Sequence, residues 1–184
     1  MIEISAEALE RAEKILANVP KGAERAAANA LNRGLSRVKT GATRRVKQVY
    51  AVQAAALSAA TNTRINKAST GNLCGYISFS GAKIPLYKFN VTPKAPGTGQ
   101  LVTAGVMKGG GAVFESAFIA RMQSGHTGIF EREGKPRFPV EEIMGLAAAQ
   151  MVGNEKIMEP LEEEAQQLVN ERLEHEIERL LSGG

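Results

Sequence analysis

The stretch SAFIARMQSGHTGIF, Ser116–Phe130, places two apolar runs on either side of a short polar segment. Residues 117–119 form the first run, and Ile129–Phe130 form the second. Ser124–Gly128, between them, contains two glycines, which favour tight turns because glycine tolerates positive φ angles. Two apolar runs joined by such a turn predict an antiparallel β-hairpin.

The same stretch raises the question of catalysis, because His126 lies in the expected turn. A catalytic set would use Ser116 or Ser124 as nucleophile, His126 as base and Glu115 or Glu131 as the orienting acid. No Gly-x-Ser-x-Gly elbow is present, and the spacing Ser124–His126 gives hydroxyl and imidazole no general reason to meet. We therefore predict a polar turn residue at position 126 and a protein that is not an enzyme, with no catalytic residues.

The composition restricts other kinds of site. All 19 acids are glutamates, Cys74 is the one cysteine, and the two histidines, His126 and His175, lie far apart in the sequence. A metal site usually draws on several His, Cys or Asp, so no metal and no cofactor are expected. No apolar run approaches the roughly 18 residues of a membrane helix. The N-terminal residues show no secretory signal, so a reducing compartment is expected.

Helices are predicted on both sides of the hairpin. Ser5 can cap the first, Pro20 ends it, and Asn154 can cap the last. Pro160 is expected to kink the last helix or to move its start. The expected helices cover residues 5–18, 21–50, 52–60 and 155–181.

Between residues 61 and 132 the apolar period shortens to about two, which is typical of strands. The strand-like segments are TRINKA, LCGYISFSG, IPLYKFNV and LVTAGVM. Gly71–Asn72 and Gly81–Ala82 predict turns, and Thr92–Gln100 and Lys108–Gly111 predict glycine-rich loops.

These patterns predict an α+β fold in which long helices pack on an antiparallel β-sheet or sandwich. A chain of 184 residues favours a single domain over residues 1–184. Its parts would be a helical N-terminal part (1–60), a β-rich core (61–140) and a C-terminal helical segment (141–184).

Charge is sorted along the chain. Residues 25–114 contain 13 Lys or Arg and no acid, whereas residues 115–184 contain 14 Glu against 7 Lys or Arg. On a helix over residues 21–50 the apolar residues share one side. The opposite side, the basic face, carries Arg25, Arg33, Arg37, Arg44 and Lys47. This face predicts an anionic partner, which is either DNA phosphates or the last helix of a neighbouring subunit, where residues 155–184 hold 9 Glu against 3 Lys or Arg.

The last helix carries an apolar stripe at every fourth residue. Each step of four residues exceeds a full turn by about 40°, so the stripe winds around the helix and predicts different neighbours at its two ends. Leu168 and Leu180 lie beside it. Its members are Ile157, Leu161, Ala165, Val169, Leu173, Ile177 and Leu181.

The segments AFIARM, GIFER and PRFPVEE resemble the minor tail protein Z family of tailed bacteriophages and prophages. The resemblance covers nearly the whole chain, including ANALNRGLSRVKTGATRRVKQVY and GAKIPLYKF. The chain departs from the family at Ser116, where glycine is usual, and at Gly145–Ala149, where a proline-containing turn is usual. The residues that match the family motif are Ala117, Phe118, Ile119, Gly125, His126, Phe130, Arg137 and Pro139.

The resemblance implies a structural, non-enzymatic protein with a tail-completion-like fold. Such a protein acts at the head-proximal end of the tail of a long-tailed phage, as a ring, in head–tail joining and in seating the DNA end. The implied partners are other tail proteins (tail terminator, tube or tape-measure protein) and further copies of the chain, with a non-specific contact to phage DNA and no membrane. The implied locations are the virion tail and, during assembly, the host cytoplasm.

The residues alone support a competing interpretation, a non-specific DNA-binding module that uses the basic helix 21–50. The sequence pI near 9.3 favours it. Few aromatic residues are available for base stacking (Phe 6, Tyr 3, Trp 0), which weakens it.

Overall fold

A computed structural model describes residues 3–182 of the chain. The helices are α1 (Ala6–Ile15), α2 (Gly22–Val49), α3 (Ala54–Ala60), α4 (Ala148–Val152) and α5 (Glu155–Leu181). The strands are β1 (Asn62–Asn66), β2 (Tyr76–Ser80), β3 (Lys83–Pro85), β4 (Asn90–Thr92), β5 (Val102–Gly105), β6 (Ala112–Phe114), β7 (Ala117–Arg121), β8 (Thr127–Arg132), β9 (Val140–Glu142) and β10 (Met144–Ala147). Long helices combined with antiparallel sheets confirm the predicted α+β class.

The described strands form four small sheets, in the orders β1-β2, β3-β10, β4-β5-β6 and β7-β8-β9. The predicted hairpin is confirmed, since β7 and β8 pair antiparallel from Ala117 opposite Glu131 to Arg121 opposite Thr127. Gly125 provides a positive φ of 85° in the turn. Because β8 begins at Thr127, His126 is the last residue of the turn.

Two predicted segments differ from the structure. IPLYKFNV is not one strand, because β3 ends at Pro85, which has no N–H to continue a ladder, and a 3-10 turn follows over Leu86–Lys88. Strand structure also extends past residue 140 into the segment predicted to be helical. There β10 pairs with β3, so tertiary pairing overrides the alanine-rich composition around Gly145–Ala149.

The chain divides into two compact units. The first contains the described residues of Met1–Ala42, Thr63–Ser78 and Asn154–Gly184, and the second contains Thr43–Asn62 and Phe79–Gly153. The single-domain organisation over residues 1–184 stays a prediction.

The first unit is built on helix packing. Ser5 caps α1, accepting a hydrogen bond from the Ala8 N–H at 3.2 Å, and Asn154 caps α5, accepting from the Lys156 N–H at 3.0 Å. Because α5 begins at Glu155, Pro160 lies inside the helix and does not set its start. The buried side chains that α1, α2 and α5 share are Ala12, Leu16, Ala23, Ala26, Ala30, Val169, Leu173, Ile177 and Leu180.

Helix α2 is continuous through its glycines. Gly41 is a point of close approach, because a Cβ atom there would overlap the Cδ2 atom of the fully buried Leu161 on α5. Ala23–Ala30 of α2 share a cluster with the C-terminal half of α5, whereas Gly41 meets Leu161 near the other end. The two helices therefore run antiparallel.

The core of the second unit lies between its sheets and α4. Four of its side chains are each at most 2% exposed: Ile84 of β3, Val102 of β5, Ile129 of β8 and Met151 of α4.

Candidate functional site

The basic face on α2 is accessible. Its five members, Arg25, Arg33, Arg37, Arg44 and Lys47, are all exposed. The opposite side of the helix is buried, with Ala27, Val38, Ala42 and Val46 at most 2% exposed. The five cations therefore share the exposed side of α2, and their role as a partner-binding face stays a prediction.

One member of the basic face has an acidic partner in its own chain. Arg37 Nη2 lies 2.8 Å from Glu164 Oε2 on α5. Within residues 3–182, Arg25, Arg33, Arg44 and Lys47 form no ion pair. Arg37 therefore differs from the other four cations of the face. It links α2 to α5, whereas the charges of the other four are available to a partner.

Helix α5 carries an acidic surface. Glu174 pairs with Arg11 of α1 at 2.7 Å, and Glu164 pairs with Arg37. Other glutamates of the helix are exposed and form no ion pair in the described part of the chain; these are Glu155, Glu159, Glu163, Glu171 and Glu178. We call these five residues the acidic face. The chain thus presents both signs of charge on two helices.

Glu176 is an acid with a structural role. Its carboxylate accepts hydrogen bonds from Asn29 Nδ2 at 2.9 Å and Arg179 Nη2 at 2.9 Å. Burial alone would raise the pKa of Glu176, but the bonds from Asn29 and Arg179 and the charges of Arg179 and His175 hold that pKa below its ordinary value. The ionised carboxylate therefore joins α2 to α5.

The hairpin places His126 beside an acid that the sequence did not indicate. His126 Nε2 lies 2.7 Å from Oε1 of Glu142 on β9, and neither Glu115 nor Glu131 contacts the ring. Gly128 makes this possible, because a Cβ atom there would overlap the Glu142 carboxylate. Glu142 lies 16 positions along the chain, so only strand pairing reveals the contact.

The family-motif residues do not form one site. Phe118 and Phe130 oppose each other on β7 and β8, with ring centroids 6.3 Å apart, and the His126 ring meets Phe130 edge-on at 6.4 Å. Arg137 and Pro139 lie instead in an exposed loop before β9. The motif is therefore a hairpin core plus a surface loop.

Among residues 3–182, no three His, Cys or Glu side chains are grouped so that they could hold a metal ion. None of the helices in this range is long and apolar enough to cross a membrane.

The fold and these surfaces define an α+β protein that presents two oppositely charged helix faces, which suits a protein that binds other macromolecules. The chain matches the family model of prophage minor tail protein Z (GPZ) over residues 7–182, and it belongs to that family. It is thus a bacteriophage or prophage minor tail protein, and the family indicates a protein of the virion tail. No curated protein and no solved structure matches the chain.

Proposed function

We propose that this minor tail protein completes the tail of a long-tailed phage at its head-proximal end. It assembles there as a homo-oligomeric ring, joins head to tail and helps to seat the DNA end. It assembles in the host cytoplasm, binds the tail terminator, tube or tape-measure protein, and has no enzymatic activity. The observation that carries the ring is the pair of uncompensated charged faces on α2 and α5.

The two faces support a contact between copies. The acidic face of one chain is opposite in charge to four cations on the next, Arg25, Arg33, Arg44 and Lys47. Because the two faces lie on different helices, pairing them joins unlike surfaces, and contacts of this kind generate rings when the rotation closes. Opposite charges also steer and orient association.

Electron microscopy of tails tests this proposal. The double substitution Arg33→Glu/Arg44→Glu is introduced into the phage or prophage gene for this chain. We expect incomplete tails without a density at the head-proximal end, because the altered face then carries two glutamates against Arg25, Arg37 and Lys47 and its attraction to the acidic face is nearly lost. The matched control is Lys39→Glu/Lys67→Glu, which makes the same change of charge at exposed positions outside the basic face.

The control should assemble complete tails. Complete tails of normal length in the Arg33→Glu/Arg44→Glu phage would contradict the charged-face contact. Arg37 is left unchanged because its replacement would also break the intrachain pair with Glu164.

A second candidate function is a non-specific DNA-binding module that uses the basic helix 21–50. The exposure of Arg25, Arg33, Arg44 and Lys47 without ion-pair partners in the described residues favours it. It predicts complete tails in the double variant and a loss of DNA retention, with affinity that falls steeply with salt.

A further inference from the structure

A cleft of about 350 Å³ lies in the second unit, beside the chain that leaves α2. At this size it is at the small end of the range for ligand pockets, large enough for one phosphate and its sugar. Its polar groups come from Gln53, Tyr87, Asn90, Lys94, Lys108 and Gly109. The basic face does not contribute to it.

Backbone hydrogen bonds fix two walls of the cleft. The Lys108 N–H donates to the Val49 carbonyl at 3.0 Å, which ties the glycine-rich segment to the end of α2. The Gln53 N–H donates to the Lys88 carbonyl at 2.9 Å. Both walls are therefore held in place without a ligand, so ordering them adds little to the cost of binding.

A tyrosine fixes the third wall. The Tyr87 hydroxyl donates to the Lys94 carbonyl at 2.8 Å, so the loop that begins at Thr92 is attached next to the cleft. The Lys88 ammonium lies over the Tyr87 ring, 5.9 Å from its centroid, and adds a third positive charge nearby. The cleft therefore has two lysines in its lining, Lys94 and Lys108, and a third, Lys88, beside the ring of its tyrosine.

No negative charge compensates these lysines. The cleft has no acid in its lining, and residues 25–114, which supply every lining residue, contain none. Lys94 and Lys108 are exposed and form no ion pair among residues 3–182. Their ammonium groups are free to bind an anion without first breaking a salt bridge.

We propose that this cleft binds a phosphate group of a DNA backbone. Lysine ammonium and side-chain amide groups, which Lys94, Lys108, Gln53 and Asn90 supply here, are among the donors that contact DNA phosphates. A lysine contact to a phosphate carries no base information, so the contact is independent of sequence. The proposal rests on the proposed tail function for the source of the DNA, but not on the basic face of α2.

The test uses the purified full chain and a fluorescent 20-base-pair DNA duplex, with anisotropy measured between 50 and 200 mM salt. Lys94→Glu/Lys108→Glu should weaken binding at least about tenfold and reduce the slope of log K against log salt by about 2, because two phosphate contacts are lost. Lys83→Glu/Lys135→Glu makes the same charge change at exposed positions of the second unit outside the cleft. It should change affinity less than about threefold.

Equal losses in the two double variants would overturn the proposal, because they would show a response to net charge alone. Unchanged binding in Lys94→Glu/Lys108→Glu would also overturn it. If the glutamate variant has a lower thermal unfolding midpoint than wild type, Lys94→Gln/Lys108→Gln replaces it in the binding measurement. Lys94→Arg/Lys108→Arg conserves both charges and should keep most of the affinity.

Titration with inorganic phosphate distinguishes the source of the ligand. Millimolar phosphate at constant ionic strength should compete with the duplex if both use the cleft. A different outcome is that phosphate binding requires Lys94 and Lys108 while DNA binding does not. That outcome would assign the cleft to a small phosphate compound and would overturn the proposed DNA contact. The cleft and the charged-face contact are tested by different variants. A negative result for Lys94→Glu/Lys108→Glu therefore does not contradict the tail-assembly proposal, which Arg33→Glu/Arg44→Glu tests.

Discussion

At the scale of the residue, exposed charges in this chain have different roles that their sequence positions do not distinguish. Arg33 and Arg37 share the predicted basic face, yet only Arg37 reaches a carboxylate of α5. Glu176 and Glu178 lie two positions apart on α5, yet the Glu176 carboxylate is bonded by Asn29 and Arg179, whereas Glu178 is exposed and forms no ion pair in the described residues. The distinction comes from the antiparallel packing of α2 on α5, which places Asn29 within 2.9 Å of Glu176.

The lowered pKa of Glu176 predicts a pH-dependent stability. A carboxyl whose folded-state pKa is below its unfolded value of about 4.3 stabilises the fold above that value, and the contribution is lost as pH falls through the folded-state pKa. Glu176→Gln should therefore be less stable than wild type at pH 7, by about 1 kcal/mol. The difference should shrink at pH values below about 4.

Urea unfolding of both proteins at several pH values between 7 and 3.5 measures this. Glu178→Gln, on the exposed side of the same helix, is the control and should change the free energy of unfolding by less than about 0.5 kcal/mol. A stability difference between wild type and Glu176→Gln that is the same at every pH would refute the linkage.

At the scale of the element, the spacing of apolar residues and the positions of turn-forming residues predict most of the helices and strands. The long helices, the β7–β8 hairpin and the Gly71–Asn72 turn are local patterns, and all are present. Strand β10 was missed because its pairing with β3 joins segments about 60 residues apart. The His126–Glu142 contact and the lysine cleft were missed for the same reason, since each combines groups from separate segments.

The apolar stripe of α5 shows where the four-residue period fails to predict which side chain is buried. Six members of the predicted stripe, from Ile157 to Ile177, are buried, but Leu181 is 57% exposed and Leu180 takes its place at 6%. A step of three residues falls short of a full turn by about 60°, so it reverses the drift of the preceding four-residue steps. This returns the end of the helix to α1 and α2, where Leu180 joins their cluster.

Two neighbouring leucines therefore give a matched pair of variants. Leu180→Ala should lower the free energy of unfolding by about 2 kcal/mol or more, because it leaves a cavity between helices. Leu181→Ala should change it by less than about 0.5 kcal/mol, because that side chain is largely in solvent. Equal effects in urea unfolding would show that the last turn of α5 does not pack as described.

At the scale of the whole molecule, the two charged faces make a distinct prediction about assembly. Consider one variant with a weakened basic face, Arg33→Glu/Arg44→Glu, and another with a weakened acidic face, Glu159→Lys/Glu163→Lys. In each variant the altered face keeps three charges of its original sign against two of the opposite sign. Its attraction to the intact face of another copy is therefore nearly lost, so neither variant should form oligomers by itself. All four positions are exposed and form no ion pair in the described residues, so the substitutions break no intrachain ion pair.

A mixture of the two variants should assemble where each alone does not. The intact acidic face of the first variant then meets the intact basic face of the second, so each mixed pair keeps one attractive contact. Sedimentation velocity of each variant and of the equimolar mixture measures the outcome, and high salt should weaken the mixed oligomer because exposed charges are screened beyond about 8 Å at 0.15 M ionic strength. If the basic face served DNA instead, the mixture would be as monomeric as its components, and the Glu159→Lys/Glu163→Lys variant, with its less acidic α5, would bind DNA more tightly than wild type.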